Sequence, residues 1–164
     1  MATPDNLERI GNGNPDGSIV RGQHRLVISG AGAARTLQAD ESGALVLLDK
    51  ADGMTITLPT PAEGMQFEFF STVSVAGGTI KIVTANPATQ FLIGEILAYT
   101  TATASPGGFA ANGTTIVSVA IQTGGTFGGL IGTRLLFTAL GTTQWAVNGQ
   151  TVGSGTLVSP FATT

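Results

Sequence analysis

Apolar and polar side chains alternate with a period of two through much of this chain. Met54-Thr-Ile-Thr-Leu58 sets Met54, Ile56 and Leu58 on one face and both threonines on the other. Met65-Gln-Phe-Glu-Phe69 repeats the pattern with Gln66 and Glu68 outward, and Thr79–Ile82 and Gln144–Asn148 do so on a smaller scale. Successive side chains of a strand point to opposite faces, so each stretch predicts a strand with one buried and one wetted face. Ala44–Leu48 and Leu130–Leu140 are more continuously apolar, which predicts strands covered on both sides. Turn formers separate these runs: Ala51-Asp-Gly, Pro59-Thr-Pro, Ala76-Gly-Gly, Ala85-Asn-Pro, Asn112-Gly and Asn148-Gly among them. No window of ten or more residues carries a 3.6-residue period with helix caps, and β-branched Thr, Val and Ile dominate. The pattern predicts one all-β domain over residues 25–164, a single compact β-sandwich or β-barrel of about nine to ten strands.

Residues 1–24 differ in kind. Gly11-Asn-Gly-Asn-Pro-Asp-Gly-Ser18 packs turn formers too densely for a regular element, and predicts an extended arm that is disordered alone and ordered by a partner.

Composition sharpens this picture. The 164 residues include 24 Gly and 24 Thr, and charged residues make up 10 %, against roughly 25 % in an ordinary soluble domain. The 69 residues after Glu95 contain a single charge, Arg134. Surfaces are normally rich in Lys and Glu, so such a stretch predicts burial against other subunits or a neutral polar surface held inside an assembly. Both routes lead to an obligate homo-oligomer, and a ring of three is the symmetry favoured. Trp145, in a short alternating strand, is expected as a core or subunit-contact anchor, with Arg134 a second subunit-contact residue. A net charge of −3 argues against nucleic acid, since phosphate neutralisation needs clustered Lys and Arg. Mean hydropathy is +0.32, yet no apolar run approaches the ~20 residues of a spanning helix. One Trp and one Tyr cannot furnish the aromatic belts of a membrane barrel, so no membrane is expected. The N-terminus has no apolar signal-peptide core, and synthesis in the host cytoplasm without export is the expectation.

Candidate chemistry is sparse. Zero Cys removes disulfides, thiolate metal sites and cysteine nucleophiles. His24 has no second His or Cys to complete a metal site, and reads as an exposed or interface polar residue. Asp40-Glu41 and Asp49…Asp52 read as turn residues that hydrogen-bond their own backbone. Glu68 is the acid of most interest, although a solvated strand face explains it. No catalytic, cofactor or metal residue is assigned, and no enzyme activity is expected.

A family resemblance adds to this reading. Arg35-Thr-Leu-Gln-Ala-Asp-Glu-Ser-Gly43, Leu45-Val-Leu-Leu-Asp49, Met54-Thr-Ile-Thr-Leu-Pro59 and Gly64-Met-Gln-Phe-Glu-Phe69 resemble a module of tailed-bacteriophage structural proteins. Gln144–Gly149 and Gly153–Leu157 resemble the end of such proteins more loosely. The resemblance implies a virion component, either a capsid decoration (cement) protein or part of a tail. Length favours decoration: one compact domain plus an arm, with no long shaft. The resemblance thus implies a major capsid protein as partner. Leu7, Ile10, Ile19, Val20 and Arg21 are then the expected capsid-binding residues of the arm, adding modest contacts on several subunits into avidity. The alternative is a tail-fibre or receptor-binding module for host surface glycans.

Overall fold

The computed structural model describes residues 25–29, 32–101, 106–122 and 127–164. These form twelve strands: β1 Val27–Ile28, β2 Ala34–Thr36, β3 Leu45–Leu48, β4 Met54–Thr57, β5 Gln66–Ser71, β6 Thr79–Val83, β7 Phe91–Thr100, β8 Gly107–Asn112, β9 Ser118–Gln122, β10 Arg134–Ala139, β11 Gln144–Gly153 and β12 Phe161–Ala162. The fold is all-β and sandwich-like. A seven-stranded sheet runs β1-β3-β5-β10-β11-β7-β8, and a five-stranded sheet runs β12-β9-β6-β4-β2. Twelve strands replace the nine to ten expected, because β1 and β12 are two residues long and too short to show a period. Among the described residues no helix is long and apolar enough to cross a membrane.

The first six strands alternate strictly between the sheets. β1, β3 and β5 stack in parallel in one, and β2, β4 and β6 stack in parallel in the other. Residues 27–83 therefore wind as three coils, each giving one strand to each sheet, in the manner of a short solenoid. The later strands close the stacks mostly with antiparallel pairs. β10 lies between β5 and β11, while β9 lies between β6 and β12. The two ten-residue strands, β7 and β11, run parallel in unbroken register from Phe91↔Gln144 to Thr100↔Gly153.

Alternation fixes the core. Met54, Ile56, Ile80, Ile82, Val119 and Ile121 face inward from the five-stranded sheet, all nearly or fully buried. From the other sheet, Phe67 packs on Trp145 at a ring-centroid distance of 6.0 Å, and Phe69 meets Phe137 edge-on at 5.2 Å. Such aromatic pairs add to their burial when offset or T-shaped.

Three expectations are corrected. β3 and β10 are not covered on both sides: Val46, Leu48, Leu135 and Phe137 are buried, while Leu45, Leu47 and Leu136 are half-buried on the outer face. These outward leucines made the runs look continuous. The span Leu130–Thr133 is turn rather than strand, and Ile131 is exposed. Finally, Asn148-Gly149 is not a turn but lies within β11. Gly149 has φ +148, and a Cβ there would stand 2.3 Å from the Arg134 carbonyl oxygen. Gly lets β11 lie this close to β10 without breaking the ladder.

Candidate functional site

The two outer faces of the sandwich differ. The five-stranded sheet turns out Thr55, Thr57, Thr79 and Lys81, a hydroxyl-rich surface. The seven-stranded sheet turns out large apolar side chains among polar ones. Val27, Phe70, Leu97 and Tyr99 are exposed by 51, 36, 44 and 42 %, with Leu45, Leu47 and Leu136 half-buried between. Strand register arranges them in rows. Leu45, Glu68, Leu136 and Asn148 lie abreast across β3, β5, β10 and β11, and the next row holds Leu47, Phe70, Arg134, Gln150 and Leu97.

One charged cluster sits within this apolar surface. Glu68 accepts a hydrogen bond from Arg25 Nη1 on one carboxylate oxygen, and from Arg134 Nε at 2.5 Å on the other. Arg25 also donates to the carbonyls of Gly43 at 3.1 Å and Ala44 at 3.0 Å, which ties the chain ahead of β1 onto the start of β3. The Glu68 side chain is only 12 % exposed, so it is not the solvated acid its place in the alternation suggests. The Arg25 hydrogen bond lowers its pKa below the ordinary 4.5, partial burial opposes, and Arg134 lowers it further. Two guanidiniums against one carboxylate leave the cluster with one positive charge in excess. Arg134 is the more exposed of the two, its side chain 62 % exposed against 43 % for Arg25.

Beside the cluster lies a shallow depression of about 490 Å³, lined by Glu68, Leu97, Arg134, Leu136, Asn148 and Gln150. Amide, guanidinium and carboxylate groups next to apolar walls can recognise a surface or a polar ligand. Two strands away from Arg134, Glu95 is exposed on the same face and has no ion-pair partner among the described residues.

A second ion pair belongs to the fold itself. Glu41, ending the 3-10 turn Ala39–Glu41, accepts from Arg35 Nη2 and from the Gln38 backbone N–H at 2.8 Å. Asp40-Glu41 is thus part of a turn. Among the described residues no group of three or more His, Asp or Glu side chains gathers to hold a metal ion.

The expected interface residues separate clearly. Trp145 is fully buried in the core against Phe67, so the single chain already covers it and it is no surface contact. Arg134 is on the outer face, as a contact residue must be. Leu7, Ile10, Ile19, Val20, Arg21 and His24 lie outside the described residues. Reasoning from the sequence missed Arg25 as a partner of Glu68, because 43 residues separate them and no spacing rule links them.

No family model, curated protein or solved structure matches this chain.

Proposed function

We propose that this chain is a structural virion protein, a capsid decoration protein that binds the outside of a phage capsid lattice and stabilises it. In this reading it acts without catalysis, as a homo-oligomer with three copies favoured. The N-terminal arm, carrying Leu7, Ile10, Ile19, Val20 and Arg21, engages the major capsid protein. The observation that carries the reading is the broad outer face of the seven-stranded sheet, where exposed apolar side chains surround one charged cluster. Exposed apolar area of this extent serves association rather than solubility. Arg25 supports it, because its bonds to the Gly43 and Ala44 carbonyls hold the first described residues at the edge of that same sheet, beside β3.

The test is attachment. Protein lacking residues 1–22 is mixed with shells assembled from the major capsid protein of the same genome and co-sedimented beside full-length chain. Full-length protein pellets with shells, while the truncated form stays folded and oligomeric yet remains in the supernatant. Equal binding by both forms overturns the arm's role, and binding by neither overturns the decoration reading.

The depression supports one alternative, a tail-fibre or receptor-binding module for host surface glycans. Asn148, Gln150 and Glu68 offer the fan of donors and acceptors that sugar hydroxyls require, next to Leu97. Pull-down on whole bacteria tests it, and Asn148→Ala with Gln150→Ala abolishes the signal if this reading holds.

A further inference from the structure

We propose that the outer face of the seven-stranded sheet is where copies of this chain meet, with Arg134 of each copy against Glu95 of the next. Three observations carry this. The face carries large apolar side chains where the opposite face is hydroxylated: Phe70 stands out from β5, and Leu97 and Tyr99 from β7, two strands of the same sheet. It is also large enough. Seven strands about 4.8 Å apart and some six residues long give roughly 30 by 20 Å, or about 600 Å². That is of the order of the ~800 Å² each partner contributes to a standard interface.

The third observation selects the occupant. The same face carries a cluster with a net positive charge, whose more exposed cation is Arg134, and an acid with no ion-pair partner among the described residues, Glu95. They lie two strands apart and one row out of step, roughly 12 Å by strand spacing and rise, and form no ion pair within the chain. A foreign partner must evolve a complement to each, whereas a second copy brings both. Burial of this face removes Leu97 and Tyr99 from water, gives Glu95 a cation and balances the net positive cluster. The inference does not depend on the capsid reading, because the assembly is measured on the purified chain with no shell present.

Sedimentation velocity on the full-length protein, at about 10 μM, tests it. Wild type sediments at a multiple of 16.5 kDa. Glu95→Arg and Arg134→Glu, each alone, place like charges together and bring the mass down to the monomer. The double variant reverses the Arg134–Glu95 pair and restores part of the assembly, because Arg134→Glu also removes a partner of Glu68 within each copy. Circular dichroism and the thermal midpoint of each variant check that the domain remains folded. Leu97→Asp, which leaves the Arg25–Glu68–Arg134 cluster untouched, gives monomer as well. A monomeric wild type, or single charge variants that stay assembled, overturns the proposal. So does dissociation by Leu7→Asp with Ile10→Asp when Glu95→Arg has no effect, because the arm then holds the copies together.

Discussion

At the scale of single residues, Glu68 and Trp145 show how position decides role. Glu68 is held ionised between Arg25 and Arg134, so its folded pKa lies below its unfolded one. A depressed carboxylate contributes stability that is present above the unfolded pKa and is lost as pH falls through the folded pKa. Urea midpoints measured downward from pH 6 should therefore drop below about pH 4.5, and Glu68→Gln should flatten that part of the decline. Trp145 is buried with no hydrogen-bond partner for its indole N–H. Trp145→Ala leaves a large cavity and costs about 3–5 kcal/mol. Trp145→Phe keeps an aromatic against Phe67 and removes the unpaired donor, so its cost is under ~2 kcal/mol. Denaturation followed by far-UV circular dichroism separates the two. The burial of both residues was half legible: the period placed Trp145 inward and Glu68 outward, but the guanidiniums that enclose Glu68 come from 43 and 66 residues away.

Strands were legible where their faces differ. β4, β5 and β6 alternate cleanly between core and surface, and Met54–Thr57 and Gln66–Ser71 lie within or beside the stretches their periodicity marks. β8 was not, because Gly107-Gly-Phe-Ala-Ala-Asn112 alternates too weakly in side-chain character. Pairing direction was hidden as well, since a parallel and an antiparallel neighbour demand the same alternation. Gly149 shows the reverse error, a turn residue used inside a strand. Gly149→Ala combines a disfavoured backbone with a Cβ pressed on the Arg134 carbonyl, and the expected loss is about 2–4 kcal/mol, read as a lower urea midpoint. The short outer strands behave differently. β1 and β2 have one paired neighbour each, so their amides exchange with deuterium far faster than those of β10 and β11.

For the whole molecule, the domain is assembled from distant pairings. β5 must find β10, with Phe67 opposite Phe137, before the central aromatic core exists. Loop closure precedes the reward in such topologies, and folding in milliseconds to seconds is expected. Trp145, the single tryptophan, reports it by stopped-flow fluorescence, because it becomes buried as β11 joins β10. The scarcity of charge after Glu95 gains a location at this scale. The strands β7, β8, β10 and β11 build one half of the seven-stranded sheet, and their outward side chains form much of its apolar face.

The winding of residues 27–83 also determines what changes of length the chain can accept. Corresponding strands recur after 18 and 23 residues in one stack and after 21 and 26 in the other, so coil length varies while the alternation between sheets does not. A gene duplication that adds a complete coil, two strands with both corners, lengthens each stack by one rung and leaves every later strand in its own sheet. An insertion of one strand sends all that follow to the opposite layer. The heritable unit of growth in this domain is therefore the pair.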